Sequence, residues 1–365
     1  MYVGELVFSY LYDLGGEVRL QEAAHLLARM PEAERVEPRK NAPAYIALAR
    51  PLLYRYPTRT VETDKGVLHA HFEARVYGIG AVGISIRVPF ELPSIEAVND
   101  LTYVRLPDGY APEALAKGLA DEITTSIRTA LIETYQAEVE PETYLVVALT
   151  GSPRSAREML EKEATTLAGI VAGEKRPERL SEEEVHDNLR TWYSYYQDDL
   201  VIVDWDRALV IEPSGKYDDV LAVVETANLE LLELRVYDQY LDQVLEGAYE
   251  DLTRFYGRGG LFRSARGVQQ ELSNARIDLV RVTDEINNIG KIFGDYYLAK
   301  LHLGLQERFH LREWEQIVRE KMATLNELYT LASDEVSHRR GVVLESMIVL
   351  LFVIDLVLIF LVSKG

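Results

Sequence analysis

Two histidines and a glutamate alternate along one short stretch of the sequence. His69, His71 and Glu73 are separated by single residues, so on a β-strand all three side chains would project from one face. Imidazole nitrogens and a carboxylate in this arrangement suit zinc or a similar metal. The alternative is a solvated strand face, which needs polar residues at these positions in any case. The pattern indicates a candidate metal site without requiring one.

A glycine- and arginine-rich segment forms a second candidate site. Residues 256–267 read YGRGGLFRSARG, and the side chains of Arg258, Arg263 and Arg266 could bind an anion such as phosphate. The segment lacks the Gly-Lys-Ser/Thr ending of a P-loop and follows no obvious buried strand. The alternative is a turn between two helices that carries solvated arginines.

Composition narrows the function classes further. The chain has 365 residues, a formal net charge of −20 and no cysteine. Cysteine nucleophiles, thiolate metal sites and disulfides are therefore excluded, and bulk electrostatics disfavours nucleic acid as a partner. Catalytic motifs such as Gly-x-Ser-x-Gly and His-Glu-x-x-His are missing. We predict a protein that is not an enzyme, needs no cofactor and binds no nucleic acid; a metal- or nucleotide-dependent enzyme in the N-terminal part stays the alternative.

The densest aromatic cluster lies near residue 195. Trp192 and Tyr193 are followed closely by Tyr195 and Tyr196. A cluster of this kind more often covers a core or an interface than it stacks on a ligand. We expect a structural or interface role here.

Residues 1–216 have the patterns of a mixed α/β region. Val3 to Leu14 alternates as a strand does, residues 66–88 favour a hairpin around two glycines, and Thr143 to Leu149 is typical of a buried strand. With a helical segment before and after the hairpin, the order is β-α-β-β-α-β. We predict an α+β domain over residues 1–216 with a ferredoxin-like unit.

Heptad spacing begins after this region. Apolar residues recur at four-three intervals from Val220 to Leu252, and again over residues 268–293, as in a coiled coil or helical bundle. Asp238 interrupts the first apolar series, and Arg235, one turn earlier, is its expected partner. A polar residue at such a position fixes register. We predict a helical coiled-coil stalk over residues 217–338.

The C-terminal segment is the most apolar part of the sequence. Val342 to Val362 comprises 21 residues, enough for one helix across a bilayer core of about 30 Å. Glu345 and Asp355 interrupt it, and an acid at bilayer depth faces protein or water. Asp355 could hold helices together through a hydrogen bond or serve as a proton or cation site. We predict a transmembrane anchor over residues 339–365.

Basic residues before this segment predict its orientation. His338, Arg339 and Arg340 precede it, whereas one lysine follows. The positive-inside rule then places the N-terminal body in the cytoplasm. We predict a single-pass protein of the inner (plasma) membrane.

Three C-terminal stretches resemble the "required for meiotic nuclear division" family. They are Asn228 to Asp242, Arg319 to Arg340, and the start Leu344-Glu345 with a second acid ten residues on at Asp355. The resemblance covers the last 140 residues or so, and the N-terminal half lacks the characteristic strand of that family. It implies a membrane-anchored oligomer of a domain of unknown function; a role in organellar translation does not transfer to this chain.

These observations favour a non-enzymatic, tail-anchored scaffold. Its stalk and membrane helix would make it a homo-oligomer, and its cytoplasmic domain would dock an unknown protein partner. The alternative is an oligomeric ion-conducting membrane protein, which resembles CorA-type magnesium channels in architecture and would place a ring of Asp355 in the pore.

Overall fold

The computed structural model describes residues 1–30, 33–36, 51–132, 139–256 and 296–362. They fall into two compact units. The first runs from Met1 to Tyr237 and resumes as far as Glu315. The second takes in the residues from Asp238 and from Gln316 onwards.

A large sheet forms the centre of the first unit. In the described part of the chain it has nine strands in the order β10-β11-β9-β1-β7-β6-β4-β3, with β5 paired to β6. Neighbouring strands are antiparallel except β11 and β9, which are parallel. The strands, including the separate pair β2 and β8, are β1 (Tyr2–Asp13), β2 (Glu17–Val18), β3 (Glu34–Val36), β4 (Leu52–Arg55), β5 (Arg59–Thr63), β6 (Gly66–Val76), β7 (Ala81–Leu92), β8 (Leu131–Ile132), β9 (Glu142–Gly151), β10 (Leu200–Val203) and β11 (Arg207–Ile211).

Helices of very different lengths accompany the sheet. The described α-helices are α1 (Leu20–Leu27), α2 (Ile95–Leu101), α3 (Glu113–Ile127), α4 (Ala156–Lys162), α5 (Ala164–Ala172), α6 (Glu182–Leu189), α7 (Asp218–Tyr256), α8 (Tyr296–Arg308) and α9 (Leu311–Val362). Several begin with a side-chain cap. Ser155 and Glu158 form a reciprocal capping box before α4, and Ser181 accepts a hydrogen bond from the backbone of Glu184 at the start of α6.

The strands bury side chains on both faces of the sheet. Leu6 and Phe8 of β1 belong to the main core, which also holds Ile123 of α3 and Leu167 of α5. Leu11, on the opposite face of the same strand, packs with Tyr77, Ala81 and the α7 side chains Leu229, Leu232 and Val236. Because successive side chains of β1 point to opposite faces of the sheet, the strand contributes to one core on each face.

Ion pairs connect the sheet to the start of α7. Arg75 of β6 contacts Glu225 of α7 and Glu73 of its own strand, each at 3.2 Å. Arg87 of β7 contacts Asp218, the first residue of α7, at 3.1 Å. Burial alone would raise the pKa of Glu73, but Arg75, Arg55 and Arg87 outweigh burial and lower it. Glu73 therefore stays charged beside Arg75, and the pairs of Arg75 with Glu225 and of Arg87 with Asp218 hold the helix on the sheet.

The prediction of a coiled-coil stalk is wrong. The first apolar series lies on α7, where Val220, Val224, Ala227 and Leu234 are buried. A neighbouring stripe of the same helix, Leu229, Leu232 and Val236, packs on the sheet. A helix that packs on a sheet also needs an apolar stripe at spacings of three and four, so the heptad pattern did not require a partner helix. The second series, over residues 268–293, lies outside the described residues.

The predicted ferredoxin-like domain and the third stalk helix also need correction. The sheet of nine described strands is larger than a ferredoxin-like unit, so the fold is mixed α/β with a large sheet. The helix expected from Glu307 onwards is divided, because α8 ends at Arg308 and α9 begins at Leu311. Between them His310 has φ of 53°, in the left-handed region that interrupts a helix.

The prediction of a transmembrane anchor is wrong as well. Within the ranges described above, no helix is long and apolar enough to cross a membrane. Val342 to Val362 forms the end of α9, and Glu345 and Asp355 leave nine uncharged residues, 346–354, between them. A spanning helix needs about 20 apolar residues. The single-pass inner-membrane localisation loses its basis with it. The membrane as a partner and the ion-conducting alternative stay predictions.

Candidate functional site

An open cleft in the first unit separates α8 from the segment that follows α6. It has a volume of about 550 Å³ and is lined by Arg190, Thr191, Trp192, Tyr193, Lys300, Leu303, Gly304 and Glu307. Volumes of this size suit small ligands and short peptide segments. The two walls come from parts of the sequence more than 100 residues apart.

Tyr193 forms the floor between these walls. Its backbone exchanges two hydrogen bonds of 2.8 Å with Val201 of β10, which fixes it to the edge of the sheet. Its ring lies against Gly304 of α8, where an added Cβ would overlap the phenol oxygen. Burial raises the pKa of Tyr193, and the neighbouring carboxylate of Glu307 raises it further. The phenol stays neutral and serves as a rigid wall.

A buried carboxylate shapes the turn after Tyr193. Asp199 accepts hydrogen bonds from the backbone N–H groups of Tyr195 at 2.9 Å and Tyr196 at 3.0 Å. Ser194 adds a hydrogen bond from its hydroxyl to the carbonyl of Tyr196, at 2.6 Å. These contacts satisfy the polar groups of a tight turn and direct both tyrosine rings outward.

The aromatic side chains of this segment are mostly exposed. Trp192 is 49% exposed, Tyr195 63% and Tyr196 65%. The ring of Tyr195 meets that of Tyr196 edge to face at 4.8 Å and that of Tyr297 of α8 at 5.7 Å. We refer to Trp192, Tyr195, Tyr196 and Tyr297 as the aromatic patch. Large exposed side chains that are grouped in this way mark an interaction site more often than singly scattered ones do.

Helix α8 is held in place by polar contacts with its neighbours. Nε2 of the buried His302 lies 3.1 Å from the carboxylate of Glu230 on α7. Nη1 of Arg308 lies 3.6 Å from the carboxylate of Asp204, beside β10. Burial raises the pKa of Asp204, and Arg308 partly opposes that effect. These contacts lie on either side of the cleft wall and make it rigid.

The proposed metal ligands are engaged with other partners. Nδ1 of His71 lies 2.8 Å from the hydroxyl of Thr58, and that of His69 lies 3.5 Å from Thr60. Glu73 accepts a hydrogen bond of 2.7 Å from Arg55. Among the described residues, no group of three or more histidine, aspartate or glutamate side chains could hold a metal ion.

The two residues predicted to pair within the stalk have different partners. Arg235 forms an ion pair with Glu142 of β9 in the first unit. In the second unit, Nζ of Lys321 lies 2.6 Å from the carboxylate of Asp238 and 2.7 Å from that of Asp242. Desolvation would lower the pKa of Lys321, but the two aspartates raise it overall.

The remaining predicted residues are not brought together as a site. Glu345 is exposed on α9, and Asp355 lies further along the same helix. His338, Arg339 and Arg340 have helical backbone in α9. Arg258, Arg263 and Arg266 lie outside the described residues.

Sequence reasoning found the aromatic cluster but missed the other wall of the cleft. Lys300, Leu303, Gly304 and Glu307 follow the helical spacing i, i+3, i+4, i+7 and so share one face of α8. These four positions hold a cation, a leucine, a glycine and an anion, and such a mixture is typical of any solvent-exposed helix face. Only the position of Gly304 against Tyr193 distinguishes this face.

Comparisons with known proteins place the similarity in the N-terminal half. A family model described as "Uncharacterized protein MJ0711, N-terminal domain" matches residues 3–218. "Uncharacterized protein MJ0711" of Methanocaldococcus jannaschii is 28% identical over 182 residues, which are 50% of this chain and 55% of that protein. The chain thus spans about half the length of this curated relative. No solved structure matches.

These matches overturn the resemblance to the meiotic nuclear division family. That resemblance was confined to stretches from Asn228 onwards, whereas the family match ends at residue 218. The stretches in question are helical and rich in leucine and acids, a composition that unrelated helices share because it suits any amphipathic helix. The aromatic segment at residues 192–196 lies inside the matched region.

Proposed function

The chain belongs to the family of the N-terminal domain of the uncharacterized protein MJ0711, and from this premise we propose that it is a non-enzymatic scaffold that docks a partner protein at the aromatic patch. One observation carries the proposal: a turn fixed by Asp199 presents Tyr195 and Tyr196 to solvent, and the exposed Trp192 lines the open cleft nearby in the sequence. Hydrogen bonds to the buried Asp199 thus hold the large rings of Tyr195 and Tyr196 in contact with water.

The energetics of interfaces support this role. Tryptophan and tyrosine dominate the residues that carry binding energy in protein interfaces, and truncating one such anchor costs about 2 kcal/mol or more. Their rings offer a large contact area and lose little conformational entropy on binding. The rings here are also preorganised by their edge-to-face contacts, which lowers the cost of association.

The polar groups near the cleft favour binding over catalysis. Asp199 is occupied by two backbone N–H groups, and Asp204 by the guanidinium of Arg308. His302 and Glu230 form a pair that is buried on both sides, so substrate in the cleft has no access to it. A general base must reach the proton that it removes, to within about 3 Å. Self-association of the chain stays a separate prediction.

Site-specific photo-crosslinking tests the proposal directly. A photoreactive amino acid in place of Tyr196, in the full chain expressed in its own cells, should capture a protein that then forms a stoichiometric complex when purified separately. In that complex Trp192→Ser should lower the affinity about 30-fold, the equivalent of 2 kcal/mol.

Trp205→Ser provides the matched control. Trp205 is 67% exposed, yet it lies on the turn between β10 and β11 and is not among the residues that line the cleft. It should leave the affinity unchanged. A partner that binds Trp192→Ser as tightly as the native chain would refute docking at the aromatic patch.

A further inference from the structure

The charges in the cleft restrict the chemistry of its partner. Lys300 and Glu307 lie at opposite ends of the α8 wall, seven residues or about 10 Å apart along the helix axis. Arg190 stands on the other wall, next to Trp192. Two cations and one anion therefore line the cleft, together with apolar surface from Trp192 and Leu303.

Both cations are available to an external group. Neither Arg190 nor Lys300 forms an ion pair with any residue that the structure describes, and both are exposed. The Lys300 ammonium lies 5.9 Å from the centroid of the Tyr193 ring, which orients it over the cleft.

We infer that the cleft binds a segment of the partner protein in which one carboxylate side chain stands beside an aliphatic or aromatic side chain. This inference rests on the proposed docking function. The carboxylate would meet Arg190 and Lys300, and the apolar side chain would lie between Trp192 and Leu303. An open cleft accommodates the middle of an extended segment, so the carboxylate belongs to a side chain and not to a chain end.

The surrounding charge limits the partner to a single carboxylate. Residues 181–206 contain eight acids and one arginine, so a run of acids would meet repulsion outside the cleft. One acid between apolar residues meets the two cations and avoids that repulsion.

Selection from a displayed library of short random peptides tests the inference. The full chain serves as bait, and the Trp192→Ser chain removes peptides that bind elsewhere. We expect enriched peptides to pair one Asp or Glu with Leu, Ile, Phe or Trp. The affinity of a synthetic peptide of that type should fall about two- to fivefold with Lys300→Gln and rise with Glu307→Gln, as for exposed charge pairs. Replacing its acid by the amide should abolish the difference between the two variants.

The possible outcomes separate this inference from the proposed function. Enrichment of arginine or lysine, with weaker binding to Glu307→Gln, would overturn the assigned partner chemistry and leave docking intact. If every peptide that binds the native chain is also removed by the Trp192→Ser chain, docking itself is overturned and the inference with it. Tight binding of a polyglutamate peptide would contradict the requirement for a single carboxylate.

Discussion

Replacing Gly304 by alanine perturbs the contact on which the cleft is built. A Cβ at this position would overlap the phenol oxygen of Tyr193 and lie 2.6 Å from Cζ of the same ring. Carbon atoms in contact prefer about 3.5–4.0 Å, so the ring or the helix must move by about 1 Å. Tyr193 has little freedom to move because its backbone is bonded twice to Val201.

The size of the effect follows from two opposing contributions. Overpacking of this kind costs about 1–3 kcal/mol. Exchanging glycine for alanine inside a helix gains about 0.5–1 kcal/mol. Gly118 of α3 isolates the second contribution, since no atom lies within 4 Å of its added Cβ. Gly118→Ala should therefore stabilise the protein, and Gly304→Ala should be less stable than Gly118→Ala by about 1–3 kcal/mol.

Chemical denaturation of both variants measures the free energy of unfolding. A third comparison identifies the source of the strain: in a Tyr193→Ala background the ring is gone, and Gly304→Ala should become stabilising by about 0.5–1 kcal/mol. If Gly304→Ala proves as stabilising as Gly118→Ala in the native background, the close approach of α8 to Tyr193 is refuted.

Three further substitutions or conditions have defined expectations. Arg235→Met should lower the free energy of unfolding by about 1–3 kcal/mol in chemical denaturation, because the variant leaves the carboxylate of Glu142 without its cation. Burial already raises the pKa of this carboxylate. The double variant with Glu142→Gln should recover part of the loss. Glu73 has a lowered pKa next to Arg75, so its contribution is present above the ordinary glutamate pKa of about 4.3 and is lost as the pH falls through the lowered pKa. The difference in unfolding free energy between the native chain and Glu73→Gln should shrink in that window, and a difference that grows towards acid pH would contradict it. Ser155→Ala should cost about 0.5–2 kcal/mol in the same assay through loss of a helix cap, and an unchanged unfolding free energy would count against that cap.

Local patterns predicted much of the sheet. The alternation from Val3 to Leu14 matches β1, and the apolar run from Thr143 to Leu149 lies within β9. Ser181 followed by three glutamates marks the start of α6, as helix capping requires. Strand alternation and helix capping depend only on neighbouring residues, so these elements can be predicted from the sequence without knowledge of the fold.

Patterns that depend on a partner surface were misread. The four-three spacing of α7 fits a coiled coil and a sheet-packing helix equally well. That α7 lies on the sheet is shown by a neighbouring stripe of the helix, Leu229, Leu232 and Val236, which packs with Leu11 of β1. The apolar end of α9 was likewise predicted to span a membrane, with Glu345 and Asp355 assigned to helix contacts, although these two acids divide it.

The candidate site was half predictable for a related reason. The aromatic residues from Trp192 to Tyr196 are adjacent in sequence, so their clustering is visible at once. Lys300 and Gly304 reach the same cleft only because α8 is docked against the edge of the sheet. No local pattern encodes a contact between segments more than 100 residues apart.

The most direct test of docking at the aromatic patch is the dissociation constant of the crosslinked partner, measured by calorimetry with Trp192→Ser and with Trp205→Ser. We predict a constant about 30-fold higher for Trp192→Ser and an unchanged constant for Trp205→Ser. Equal constants for the two variants, whether both native or both raised, would contradict the account.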